Sequence, residues 1–178
     1  MAVRPIHLLG SPVLREVAAP VAAVDDEVRT LIADMYETMD IALGVGLAAN
    51  QIGVARRIAV IDADGHRFAM INPRVVPSGD KVASQEGCLS IPDAFGDVTR
   101  QEKVTVEALD EQGQPFTLEL DGLAARAVQH ELDHLDGVLF VDHLSPLKRQ
   151  LLVSRWKKEN KGQPLTRIPT AEDAEAER

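Results

Sequence analysis

The segment His130-Glu131-Leu132-Asp133-His134 holds the residues whose types and spacing most clearly indicate chemistry. Residues four apart lie on one face of an α-helix, so both histidines could contact a single metal ion. Glu131 would lie beside them, within reach of the proton of a metal-bound water. Because a helix can carry two histidines by accident, this pattern is a hypothesis that the rest of the sequence has to support.

A catalytic metal site usually has three protein ligands and leaves one position for water. Two histidines therefore leave this site one ligand short. Cys88 is the only cysteine, and it lies in a tight, glycine-containing segment, Gln85–Pro92. A thiolate is a strong ligand for a borderline-soft divalent metal. The other candidates for the third ligand are His7, His66, Asp133, Asp136, Asp142 and His143.

Apolar periodicity predicts the elements that must position these residues. The predicted helices run from Asp25 or Asp26 to about Leu43, from about Leu123 to Leu135, and from about Ser145 to Asn160. Alternating residues around two glycine-containing turns predict hairpins over residues 57–72 and 104–120. Strands that come as hairpins indicate an α+β fold. We expect mostly antiparallel β-sheets packed around a central H-E-x-x-H helix, with an N-terminal and a C-terminal helix.

The length and composition suit one soluble globular domain, placed at residues 1–162, followed by an acidic tail, 163–178, that we expect to be disordered. No apolar run approaches the roughly 20 residues that span a bilayer. The N-terminus has no long apolar segment of the secretory type. A single cysteine fits a reducing compartment. These features favour the cytoplasm of a bacterium and no membrane association.

Three segments together resemble the peptide deformylase family. Gly44–Gln51 matches the family's G-φ-G-φ-A-A-x-Q, Glu86–Ser90 matches E-G-C-φ-S, and His130–His134 matches H-E-φ-D-H. Their order and separations also agree, and the resemblance covers about residues 4–160. Three motifs in order are far more specific than any one of them.

The resemblance implies a metal site and a reaction. Cys88, His130 and His134 would bind one divalent ion, with water in the fourth position. The family's usual ion is Fe²⁺, and Zn²⁺, Ni²⁺ or Co²⁺ are the alternatives. The implied enzyme is a metal-dependent hydrolase that removes the N-formyl group from the initiator methionine of nascent polypeptides and releases formate.

The same resemblance implies catalytic roles. A metal-bound water would attack the formyl carbon, with Glu131 as general base and then general acid. The side-chain amide of Gln51 and the backbone N–H of Leu89 would donate to the developing oxyanion.

The sequence indicates the substrate-binding residues less clearly than the metal ligands. The candidates near the motifs are Val45, Gly46, Glu86, Gly87, Leu123 and Ala127. Arg126 stands where an apolar residue is expected, one turn before His130, and it could point outward or alter the rim of the pocket. Phe95 and Arg100 could border the peptide groove.

Two alternatives remain at this stage: a zinc endopeptidase, which shares H-E-x-x-H, and an inactive relative kept as a ribosome-binding module. The intact Glu131 argues against the second. The net charge of −9 argues against broad binding to nucleic acid, and no sequence-specific nucleic-acid contact is expected. The basic stretch 148–161 could nevertheless dock the enzyme on the ribosome, where nascent chains emerge.

Overall fold

The predicted helices and hairpins form in the computed structural model, which describes residues 1–176. Its helices are α1 (Asp26–Ile41), α2 (Gly122–Leu135), α3 (Pro146–Glu159) and α4 (Ala171–Ala176). Its strands are β1 (Ile6–His7), β2 (Gly46–Ala48), β3 (Ile58–Ala63), β4 (His66–Cys88), β5 (Ile91–Leu109), β6 (Pro115–Asp121) and β7 (Thr166–Arg167). Short 3-10 helices occur at Pro12–Arg15, Ala49–Ile52 and Phe140–His143.

The main sheet is antiparallel and has the strand order β2-β3-β4-β5-β6. Asp64 and Gly65 join β3 to β4 with positive φ angles of 52° and 79°, as the two-residue hairpin signal predicts. Gly113, with φ of 76°, lies in the turn between β5 and β6. The prediction of an α+β fold with mostly antiparallel sheet is confirmed, and β2 forms one edge of that sheet.

The strands β4 and β5 are much longer than the sequence predicts, and they meet at the turn Leu89-Ser90. Alternation predicts only residues 67–72 and 104–109 of them. The pairing shifts register between Ser78 and Lys81 and again between Glu86 and Cys88. Such bulges, together with the prolines and glycines of this region, interrupt the period of two on which the prediction depends. The hairpin carries Cys88 at its tip.

The strand β3 presents alternate side chains to two helices. Ile58 and Val60 are buried against α1, whereas Ala59 and Ile61 are buried against α2. The apolar residues predicted for α1 are all buried: Val28, Leu31, Ile32, Met35 and Met39. The helix α2 buries Ala125 and Val128 completely on the opposite face of the sheet. Fully burying a side chain of valine size contributes about 1.5–3 kcal/mol, so this layer fixes the helix that carries both histidines.

The N-terminus of α2 is capped from a distant turn. The N-cap residue Asp121 makes no side-chain capping hydrogen bond. Instead, Asp64 Oδ2 accepts from the Ala124 N–H at 3.2 Å. The turn between β3 and β4 therefore supports the start of the H-E-x-x-H helix.

The C-terminal part differs from the prediction. The helix α3 begins as expected, with Ser145 accepting from the Lys148 N–H and proline in the first turn. The segment 163–178 was predicted to be disordered, but β7 pairs antiparallel with β1, and α4 follows. Asp173 accepts from the Thr170 N–H at 2.8 Å and pairs with Arg167. These pairings hold a segment whose acidic composition indicated disorder; residues 177–178 lie outside the described residues. No helix in the described part is long and apolar enough to cross a membrane.

We expect Asp64→Ala to lower the free energy of unfolding by about 0.5–2 kcal/mol through loss of the acceptor of the Ala124 N–H, and further because alanine tolerates the positive φ less well. Asp64→Asn keeps an acceptor oxygen and tolerates positive φ, so its loss should be smaller. Urea unfolding measures both changes. The matched control is Asp121→Ala, which removes a carboxylate that makes no capping bond. Equal losses for Asp64→Ala and Asp121→Ala would show that the distant cap contributes nothing.

Candidate functional site

Two elements bring three metal-ligating side chains together. Cys88 ends β4, and His130 and His134 lie one turn apart on α2. Cys88 Sγ is 3.3 Å from His134 Nε2, which is 3.2 Å from His130 Nε2. All three ligand atoms lie within 4.8 Å of one another. Within residues 1–176 this is the one group of potential ligands that converges in this way.

The donor set fits a divalent ion of intermediate softness. One thiolate and two imidazoles are ligands that zinc and the neighbouring transition metals accept. His130 Nδ1 lies 3.0 Å from Glu86 Oε1, so it donates to the carboxylate when Nε2 is left free as the ligand. Of the candidates for the third ligand, Cys88 joins the histidines. His143 instead lies against Asp133, with 2.8 Å between Nε2 and Oδ2.

Glu131 lies beside this group in a closed setting. It is 4% exposed, and its Oε2 has no hydrogen-bond partner among the described residues. Burial raises the pKa of Glu131 to about 7, although the nearby His130 and Arg100 oppose the rise. A Cβ on Gly46 would lie only 2.7 Å from Glu131 Oε1. Glycine is therefore needed at position 46 for this carboxylate to approach β2.

Gln51 directs one end of its amide at Cys88. Its Oε1 accepts from the Ala48 N–H at 3.0 Å, which fixes the orientation of the amide. Its Nε2 donates to Ser90 Oγ at 3.1 Å and lies 3.7 Å from Cys88 Sγ. Leu89 follows Cys88 in the hairpin turn, so its backbone N–H lies at the same tip. Of the two predicted oxyanion donors, Gln51 thus lies beside the thiol, and Leu89 follows Cys88 directly in the chain.

Glu86 has a setting that the sequence does not indicate. It was predicted to contact substrate, but it is buried and both its carboxylate oxygens are occupied. Arg100 donates to Oε2 at 2.7 Å and to Oε1 at 3.0 Å. Arg126 donates to Oε2 at 2.6 Å, and His130 Nδ1 contacts Oε1. Burial alone would raise the pKa of Glu86, but the hydrogen bonds from His130 and Arg100 lower it to about 2.

The sequence does not indicate that Arg100 and Arg126 both contact Glu86. Arg100 is buried, and besides its contact with Glu86 it donates to Asp133 Oδ2 at 2.9 Å. Arg126 points inward, since it donates to Glu86 and its side chain is only 13% exposed. Ser90 belongs to the E-G-C-φ-S motif, but the sequence does not indicate that its hydroxyl accepts from Gln51. Glu86, Asp133 and the two arginines form a set of two negative and two positive charges, which only the fold brings together.

The remaining predicted substrate residues differ in how far they are exposed. Val45 and Leu123 are exposed, whereas Gly46 and Ala127 are buried. Gly87 lies against Phe95, since a Cβ on Gly87 would be 2.9 Å from the Phe95 ring. Phe95 itself is 58% exposed, so it is available to a ligand near Cys88.

Known proteins share both the sequence and the fold. The profile of the family described as polypeptide deformylase matches residues 3–150. A peptide deformylase from Chromohalobacter salexigens is 51% identical over 152 residues, which cover 83% of this chain and 89% of that protein. One from Alkalilimnicola ehrlichii is 49% identical over 162 residues, covering 89% of this chain and 91% of that protein.

Solved structures agree. The crystal structure of a peptide deformylase from Legionella pneumophila superimposes with a TM-score of 0.84 at 46% identity, covering 92% of this chain and all of that one (100%). The peptide deformylase from Ehrlichia chaffeensis in complex with actinonin gives a TM-score of 0.86 at 36% identity, covering 90% of this chain and 99% of that one.

Proposed function

This chain belongs to the polypeptide deformylase family, and from that membership we propose how its residues divide the reaction among them. It is a metal-dependent hydrolase that removes the N-formyl group from the initiator methionine of nascent polypeptides and releases formate. The observation that carries the proposed roles is the convergence of Cys88, His130 and His134 beside Glu131. The zinc endopeptidase and the inactive relative are not favoured by this membership.

Cys88, His130 and His134 hold the metal. Their three ligand atoms face one another, and the Glu86 contact orients the ring of His130. We assign Fe²⁺ as the ion in the cell, with Zn²⁺, Ni²⁺ and Co²⁺ as ions that suit the same donors. A divalent ion, when bound, lowers the pKa of a coordinated water and polarises the formyl oxygen.

Glu131 moves the proton. It takes a proton from the attacking water and delivers it to the departing nitrogen. Three features support this role: it adjoins His130, its Oε2 has no other partner in the described chain, and its pKa is raised to about 7. A group with a pKa near the working pH can both accept and return a proton. Gly46 keeps the space beside it open.

Gln51 and Leu89 stabilise the oxyanion. Gln51 is held with its amide nitrogen towards Cys88, by Ala48 on one side and Ser90 on the other. A donor that is oriented before the reaction needs no reorganisation when negative charge develops. The backbone N–H of Leu89 supplies the second donor from the adjacent turn.

The peptide lies along the edge strand β2. Only β3 pairs with β2 in this sheet, so a peptide can add beside Gly46 by strand-like pairing. The methionine side chain is placed among Val45, Leu123 and Ala127, which are apolar and lie next to the catalytic motifs. The exposure of Val45 and Leu123 suits residues that a substrate covers.

The basic surface of α3 docks the enzyme on the ribosome in the bacterial cytoplasm, near emerging formylated chains. Its cations are exposed along the helix: Lys148, Arg149, Arg155, Lys157 and Lys158. Their clustering contrasts with the net charge of −9 for the whole chain. Localised positive charge can attract ribosomal RNA even when the protein as a whole is acidic.

The function is tested by incubating the Ni²⁺ form with a formyl-Met peptide and with its unformylated counterpart. We expect formate from the first and no internal cleavage of either. Glu131→Gln should bind metal normally yet lower kcat by about 10²–10⁴-fold, because proton transfer is lost. Internal cleavage would instead support the endopeptidase, and neither product would support a binding role. Unchanged kcat in Glu131→Gln would remove the proposed proton shuttle.

The ligand set is tested by metal titration. Cys88→Ala should bind Zn²⁺ more than about 100-fold more weakly, exceeding the 10–100-fold effect of losing an outer-sphere partner. Glu131→Gln is the control, because it changes a neighbouring buried side chain without removing a ligand. Wild-type affinity in Cys88→Ala would exclude the thiolate as a ligand.

Protein isolated without oxygen should contain iron in excess of zinc, and elemental analysis measures the ratio.

The ribosome contact is tested by neutralising two cations of α3. Lys157→Gln with Lys158→Gln should weaken ribosome binding about 2- to 30-fold at low salt, as expected for two exposed ion pairs. The effect should disappear as salt rises. Lys81→Gln with Lys103→Gln makes the same charge change on exposed positions of β4 and β5. Equal binding by both double variants would mean that α3 has no specific role.

A further inference from the structure

Arg126 joins two parts of the molecule through one guanidinium group. It lies on α2, one turn before His130, and its side chain is 13% exposed. Its Nη1 donates to Glu86 Oε2 at 2.6 Å and to the Val98 carbonyl at 2.9 Å. Its Nη2 donates to the Val82 carbonyl at 2.7 Å. These acceptors lie on β4 and β5, the two strands whose turn adjoins Cys88.

The two parts joined by Arg126 each carry a portion of the proposed metal site. The β4–β5 hairpin supplies Cys88, and α2 supplies His130 and His134. We propose that Arg126 is a positioning residue that holds the hairpin against the helix and thereby preorganises the cysteine and histidine ligands for the metal. This inference rests on the ligand set proposed above.

The charges around Glu86 support this role. Glu86 and Asp133 carry two negative charges, and Arg100 and Arg126 carry two positive charges, within one largely buried cluster. Without Arg126, the cluster would have one unbalanced negative charge, and Glu86 would keep only Arg100 as a cationic partner. A buried carboxylate with fewer donors is less firmly oriented. Its oxygen facing His130 Nδ1 would then be held less well.

The geometry requires arginine rather than any cation. A guanidinium presents several N–H groups in a fixed plane, whereas an ammonium is a single point of charge on a flexible chain. The three acceptors of Arg126, two backbone carbonyls and one carboxylate oxygen, match the planar guanidinium. Arg126→Lys should therefore keep the charge near Glu86 but lose at least one of the two backbone contacts.

The test uses the Co²⁺-loaded enzyme, whose absorption reports the ligands directly. We expect Arg126→Met to shift the thiolate-to-Co²⁺ charge-transfer band and to weaken Co²⁺ affinity about 10- to 100-fold. Arg126→Lys should recover part of both. The value of kcat for a formyl-Met peptide should fall while KM changes little, since the change acts on the metal site rather than on the peptide groove.

A matched control separates positioning from general stability. Far from the site, Arg29 also donates to one carboxylate, that of Asp26, and to two carbonyls, those of Val24 and Glu111, although its side chain is 42% exposed. Arg29→Met should lower the melting temperature by at most about 4 °C and leave the Co²⁺ spectrum unchanged. If Arg126→Met does not fold, Arg126→Lys is compared with Arg29→Lys by the same measurements.

The outcomes distinguish this inference from the proposed function. A folded Arg126 variant with wild-type Co²⁺ affinity and spectrum would overturn the positioning role, even if it melted earlier. If Cys88→Ala also kept the wild-type spectrum, the proposed ligand set itself would fail. A changed spectrum in Cys88→Ala with an unchanged one in Arg126→Met would reject only the role of Arg126.

Discussion

The arrangement of the site depends on the burial of one carboxylate, that of Glu86. A buried carboxylate is unfavourable unless charged and hydrogen-bonding partners surround it. Arg100, Arg126 and His130 meet that condition together, since they supply a donor to each free direction of its two oxygens. Because Glu86 comes from β4 and its partners come from β5 and α2, the condition is met only when the hairpin and the helix are docked. The same docking brings Cys88 to the histidine pair.

The catalytic end of α2 has the opposite character. Glu131 Oε2 and His134 Nδ1 are buried without a partner in the part of the chain that the structure describes. An unsatisfied buried polar group costs about 1–3 kcal/mol, which a fold retains where the group has a task. Gly46 leaves room for Glu131 but contributes no side-chain packing. Arg126 lies on α2 one turn before His130, and its contact with Glu86 belongs to a cluster whose polar groups are paired. This cluster stabilises the helix that carries the two unpaired groups.

The sequence predicts the features that neighbouring residues decide, and it misses those that distant residues decide. The limits of α1, the Asp64-Gly65 turn and the placement of two histidines on one helical face follow from local spacing. The contact between Glu86 and Arg126 joins residues 40 positions apart, so no periodicity reports it. Glu86 was therefore read as a substrate contact from its place in a motif. The length of β4 and the pairing of β7 were missed for the same reason: bulges and remote strands leave no regular pattern.

In the ligand set that we propose, drawing the third ligand from the hairpin would couple metal binding to tertiary structure. The two histidines need only the helix, but Cys88 reaches them only in the docked fold. An ion that binds the folded chain and not the unfolded chain stabilises it, by about 2.7 kcal/mol at a concentration 100 times Kd. The ion and the cluster around Glu86 would therefore both stabilise the contact between the β4–β5 hairpin and α2. A change that loosens the hairpin lowers metal affinity, and loss of the metal removes support from the hairpin. Two carboxylates paired with two guanidinium groups thus hold the hairpin against the helix next to the proposed metal site.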